Sequence, residues 1–127
     1  MIRTLLFAAS LAIAAPMALA HEGPHQAQHG GQVVVAGGHH HLELVAKDGE
    51  ITLYIRDEDH KPDTTKGLTA TATVLTGGKQ VTVKLEPQGD NVMKGKGTFV
   101  LAKGMRVVVS LRLPDHKPMT ARFTPAD

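Results

Sequence analysis

Six of the eight histidines of this chain fall between His21 and His41. Neutral imidazole is a borderline ligand, well matched to Zn(II), Cu(II), Ni(II) and Co(II). A site for such an ion needs three or four ligands converging on one point. The segment offers His21, His25 and His29, then His39, His40 and His41, with the carboxylates of Glu22 and Glu43 close in sequence. If residues 39–43 are extended, alternation puts His39, His41 and Glu43 on one face and turns His40 to the other. His29 would complete the shell by folding back across Gly30 and Gly31. The competing reading is a polar strand face and a polar tail with no ligand. The density of histidine is the kind of compositional bias associated with metal binding, and the expected ligand set is His29, His39, His41 and Glu43, with His21 and His25.

Other chemistries find less support. The chain has no cysteine, which excludes thiolate metal sites, disulfides and cysteine nucleophiles. Ser110 is the only serine beyond residue 20 and lies in an apolar run without a nucleophile elbow around it. Met93, Met105 and Met119 are soft enough for Cu(I), but their scatter suits packing better. No enzyme is expected.

The residues that would carry the metal need positioning. The first twenty, MIRTLLFAASLAIAAPMALA, read as a secretory signal peptide: Arg3 ahead of an apolar run, Pro16 as a breaker, and Ala18-Leu19-Ala20 as a small-x-small cleavage pattern. The run is shorter than the roughly 20 residues of a membrane span. Residues 1–20 are therefore expected to be removed on export to a periplasm. Residues 21–31 lack apolar periodicity and read as a flexible His-rich arm. Residues 32–127 read as one domain, large enough for a single core held without disulfides.

Within that domain the pattern is β throughout. Gln32–Ala36 is a short Val-rich run closed by Gly37-Gly38, and residues 41–47 alternate with Leu42, Leu44 and Ala46 on one face. Asp48-Gly49 is a strong two-residue hairpin signal, since a type I′ turn needs positive φ at both positions. Ile51, Leu53 and Ile55 alternate on the returning strand. An acidic loop, residues 57–67, follows. Residues 68–76 and 79–86 alternate on either side of Gly77-Gly78, residues 91–94 suggest a brief edge strand, and Thr98–Ala102 is apolar. Residues 106–113 make a central strand and 119–124 a final one. The tetrapeptide Asp-His-Lys-Pro occurs at 59–62 and again at 115–118, which fits shared turn chemistry. No window of the mature chain has a 3.6-residue period. The expectation is an all-β antiparallel β-sandwich of seven or eight strands, immunoglobulin-like in topology, with a closed small barrel as the alternative.

Charge narrows the partners. Fourteen Lys and Arg against twelve Asp and Glu give a formal net charge of +2, and aromatic residues make up 3% of the chain. There is neither the basic surplus nor the stacking platform that nucleic acid requires. A monomer is expected.

The segment HGGQVVVAGGHHHLELVAKDGEITLYIRDEDHKP, residues 29–62, resembles small periplasmic domains that occur alone or at the N-terminus of adaptor (membrane-fusion) proteins of heavy-metal efflux systems. The matching positions are His29-Gly30-Gly31, His41-Leu42-Glu43-Leu44-Val45, and the strand ending at Asp57 before Pro62. A weaker echo runs through Gly77-Gly78-Lys79 to Arg122-Phe123. The resemblance implies a β-sandwich near metal-efflux machinery, with His29, His41 and Glu43 as the matched site positions. No coiled-coil, lipoyl or barrel module follows, so the chain would be a stand-alone accessory. Cleavage after Ala20 would also make His21 the N-terminal residue, able to chelate copper through its α-amine and Nδ1. Periplasmic copper-resistance β-sandwich proteins use such a brace, and Asp115-His116 before Pro118 is similar to their C-terminal element, displaced by one residue. A further imidazole would come from His25, His29, His60 or His116. The expected function is binding or buffering of a divalent transition metal, zinc or copper foremost, with an efflux adaptor or pump component as the implied partner. The alternative is an envelope interaction module that binds no metal.

Overall fold

The computed structural model describes residues 26–114 and 117–127. Among them are eight strands and no helix: β1 Gln32–Ala36, β2 His40–Lys47, β3 Glu50–Arg56, β4 Thr69–Thr76, β5 Lys79–Pro87, β6 Val92–Lys96, β7 Arg106–Arg112 and β8 Met119–Phe123. No helix among the described residues is long and apolar enough to cross a membrane. Every ladder is antiparallel, and the strand order is β1-β2-β3-β6-β5-β4-β7-β8. The all-β antiparallel architecture expected from alternation is thus what the chain adopts.

Two tight hairpins set the register. Asp48-Gly49 joins β2 to β3 with Lys47 opposite Glu50 and Gly49 at φ 70°. Gly77-Gly78 joins β4 to β5 with Thr76 opposite Lys79. Alternation then sends Leu42 and Leu44 of β2, Ile51, Leu53 and Ile55 of β3, Ala72 and Val74 of β4 and Val107, Val109 and Leu111 of β7 into one core, closed by Met93, Met105 and Phe123. Each buried Val, Leu, Ile, Met or Phe side chain contributes about 1.5–3 kcal/mol of transfer free energy.

The order divides into β1-β2-β3-β6 and β5-β4-β7-β8, joined by a β5–β6 ladder of two residue pairs, Glu86 with Lys94 and Pro87 with Met93. The first and last strands come together without a ladder. Gln32 Oε1 accepts the Thr124 N–H at 2.7 Å at one end of that seam, and Met119 lies against Gly37 at the other. β2 and β3 are hairpin neighbours in one half, where immunoglobulin order would place the second and third strands in opposite sheets.

Two segments depart from the sequence reading. Residues 91–94 suggested an edge strand, yet β6 is interior, flanked by β3 and β5. Gly95 explains this: a Cβ there would collide with the Lys84 carbonyl and with Val83, so the missing side chain is what lets β5 press against β6. The apolar Thr98–Ala102 run makes no strand. It forms a loop anchored by buried Phe99.

The strands have two ends. One carries the Asp48-Gly49 and Gly77-Gly78 turns and residues 97–105. The other carries residues 37–40, the loop 57–67 and residues 113–114 and 117–118.

Candidate functional site

The β2–β3 register places His41 opposite Arg56 and Glu43 opposite Tyr54, all on the face turned away from the core. Such a face ordinarily meets solvent. Here it is covered, and Glu43, Arg56 and His41 are 0%, 3% and 5% exposed. The cover is the segment 26–31, which lies across β2 and β3. Glu43 holds it: Oε1 accepts the Gln28 N–H at 2.9 Å, and Oε2 accepts those of His29 at 2.8 Å and Gly31 at 3.0 Å. His29 Nδ1 lies 3.2 Å from Oε1 and its ring stacks on Tyr54, with centroids 3.6 Å apart and planes 2° from parallel. Arg56 Nη2 donates to the Gln26 carbonyl at 3.1 Å and lies 3.9 Å from Glu43 Oε1. Gly31 has to be glycine here, because a Cβ would collide with the Leu44 carbonyl.

Burial alone would raise the Glu43 pKa. The backbone N–H groups of Gln28, Gly31 and His29, with the His29 ring, outweigh it and hold the carboxyl below the ordinary carboxylate value. Four contacts also fill the acceptor capacity of a carboxylate. In this arrangement Glu43 serves the arm.

His39, His40, His41 and His60 gather around the loop that follows β3. That loop is built by Asp57, whose Oδ1 accepts the N–H groups of Asp59 at 2.9 Å and Lys61 at 3.0 Å. It is tied down by buried Thr65, whose N–H and hydroxyl donate to the carbonyls of Asp90 at 2.7 Å and Gly89 at 2.8 Å. His60 at its tip adopts φ 63°, the one described non-glycine residue in the left-handed region. This brings the His60 ring to within 4.5 Å of the His41 ring, centroid to centroid. His41 Nδ1 lies 2.9 Å from the Asp57 carbonyl, His40 Nδ1 lies 3.1 Å from Asp63 Oδ2, and exposed His39 Nδ1 lies 3.4 Å from Glu58 Oε2.

Three of these contacts share a chemical sense. A carbonyl or carboxylate oxygen only accepts, so in His29, His40 and His41 it is Nδ1 that carries the proton and donates, while exposed His39 only approaches Glu58. The lone pair of each neutral ring is then on Nε2. A ligating histidine ordinarily has this arrangement, its second nitrogen donating to a carboxylate or carbonyl that fixes the tautomer and raises ligand basicity.

The expected ligands are distributed as follows. His29 and Glu43 meet each other, His41 meets His60, and His39 sits in the turn before β2, paired with Glu58 instead of flanking His41 along a strand. His21, His25 and His116 lie outside the described residues, as does the expected signal peptide. No three His, Asp or Glu side chains among the described residues form a group able to hold an ion. His60 was foreseen only as a brace partner, because the loop conformation that swings it to His41 leaves no periodic signal. Residues 21–25, His-Glu-Gly-Pro-His, match the H-E-x-x-H spacing, but that motif works on a helix and Gly23-Pro24 oppose one.

The chain matches no family model, no curated protein and no solved structure.

Proposed function

We propose that this protein binds a divalent transition-metal ion, zinc or copper, at the histidine end of its sheet. In this reading it is exported to the periplasm and buffers the ion or passes it to an efflux adaptor or pump component. The observation that carries the proposal is the shared orientation of His29, His40 and His41, each with Nδ1 committed to an oxygen acceptor. The His41–His60 ring pair is the anchor, and a third imidazole comes from the arm. Arg56, the register partner of His41, binds the Gln26 carbonyl, and His25 is the next residue along the chain. Glu43 contributes by holding the arm, not by binding the ion.

The test is a two-dimensional NMR titration with Zn(II), repeated with Cu(II) read by line broadening. The expected result is perturbation centred on His25, His41 and His60 at substoichiometric metal. It should be lost in a folded His41→Ala/His60→Ala variant. Binding requires unprotonated imidazole, so affinity should fall roughly tenfold or more between pH 7 and pH 5. Perturbation centred on His21 with His116 would move the site to an N-terminal copper brace. No change with either ion at equimolar concentration would end the metal reading and favour an interaction module.

A further inference from the structure

The opposite end of the sheet carries a feature the histidine site does not use. Phe99 and Met105 are buried, and between them Val100 is 66% and Leu101 38% exposed, while Leu75 of β4, 37% exposed, lines a groove with Gly104 of the same loop. The loop is well held. Gly49 N–H donates to the Phe99 carbonyl at 2.9 Å, Leu101 N–H to Asp48 Oδ1 at 2.8 Å, Met105 N–H to the Ala102 carbonyl at 3.0 Å and Gly104 N–H to Asp127 Oδ1 at 3.2 Å. Its apolar side chains are thus presented to solvent by an ordered backbone.

Cations share this end of the strands. Lys79, Lys103, Arg106 and Arg122 are all exposed at this end, and none has an ion-pair partner among the described residues. Lys79 and Arg106 line one groove with Leu75 and Gly104, and Arg106 and Arg122 line the next with Leu75 and Val108. The nearby acids Asp48 and Asp127 each accept an N–H of the loop itself.

We infer that this end docks on an anionic lipid bilayer, with Val100 and Leu101 entering the headgroup region and Lys79, Lys103, Arg106 and Arg122 meeting lipid phosphates. Three partly exposed apolar side chains make a small apolar core beside the roughly 800 Å² per side that a stable protein interface buries. A few apolar groups beside several cations suffice for reversible adsorption to a charged interface. The sign of the charge selects the lipid. This reading is independent of the metal site.

The test is co-sedimentation of the purified protein with phosphatidylglycerol-containing vesicles and with pure phosphatidylcholine vesicles, at low and high salt. Each cation at an anionic surface contributes about fivefold in partitioning. The variant Lys79→Gln/Lys103→Gln/Arg106→Gln/Arg122→Gln should therefore bind the anionic vesicles more than about a hundredfold less than the parent. Val100→Ser/Leu101→Ser should weaken binding while keeping its salt dependence. All these positions are exposed, and an unchanged amide spectrum would verify the fold. Equal partitioning onto both vesicle types, no partitioning onto either, or full binding by the charge variant would each overturn the inference. Self-association abolished by Val100→Ser/Leu101→Ser would assign the patch to a second copy of the chain and overturn it too.

Discussion

Glu43 shows how one buried charge organises a surface. Its carboxylate replaces water for three backbone donors, so substitution strands those donors and the Arg56 guanidinium together. Glu43→Gln is expected to cost roughly 2–4 kcal/mol, read from chemical denaturation at pH 7. The pH dependence follows from the depressed pKa. A carboxyl whose folded value lies below its unfolded value contributes stability that is fully present above the unfolded value and is lost as pH falls through the folded one. The parent should therefore lose stability on acidification below about pH 4.5 more steeply than Glu43→Gln, compared by denaturation midpoints across that window. His60 makes a second residue-scale case. At φ 63° a side chain is strained, so His60→Gly should leave stability level or up to about 1 kcal/mol higher while lowering zinc affinity at least tenfold. Calorimetric titration beside thermal unfolding separates the two effects. Glu43 between Leu42 and Leu44 reads as an outward strand residue, and so it is. The approach of His29 to it is legible in the sequence, but its burial is not: it comes from residues 26–31, which bind chiefly through the N–H groups of Gln28, His29 and Gly31 and so leave little side-chain pattern to read.

At the scale of elements, the hairpins were the most legible part of the chain. Gly49 and Gly77-Gly78 take positive φ, although Asp48 does not, so the first turn is a two-residue hairpin but not the expected type I′, and strict alternation on either side fixes which residues meet the core. β6 was the least legible. Its short run of Lys and Gly looks like an edge, and only the close approach of β5 shows that Gly95 is glycine for packing. Gly95→Ala should cost roughly 1–3 kcal/mol, the price of overpacking, measurable by denaturation and by chemical-shift changes spreading into Lys84 and Val83. The loop between β3 and β4 was recognised as a loop, but its shape depends on the Asp57 side chain binding two N–H groups, and on Thr65 reaching residues 89 and 90. The Asp57 contacts are local, of the kind an Asp at a turn signals, whereas those of Thr65 cross more than twenty residues and leave no local trace.

For the whole molecule, the instructive feature is that the two ends of the strands differ in chemistry. The described imidazoles and the acidic 57–63 loop lie at one end and exposed Val100 and Leu101 at the other, while cations occur at both, Arg112 and Lys117 at the first and Lys79, Lys103 and Arg106 at the second. β2 runs from one to the other: His40 begins it, and Lys47, beside the Asp48 that holds the Val100 loop, closes it. Eight extended residues at about 3.3 Å each span about 26 Å. That strand is a spacer. With the Val100 end resting on lipid and the strand upright, an ion bound at His41, about 20 Å along β2 from Lys47, would stand about two Debye lengths above the phosphates, at about 8–10 Å per length in physiological salt. The surface layer enriched in protons and counter-ions would end well short of the histidines. Zinc affinity and its pH midpoint should thus be the same for vesicle-bound and free protein, and a calorimetric titration with and without phosphatidylglycerol vesicles, corrected for zinc taken up by lipid, would read this directly. A metal carrier built this way would sample the ion concentration of the bulk compartment while staying at the membrane.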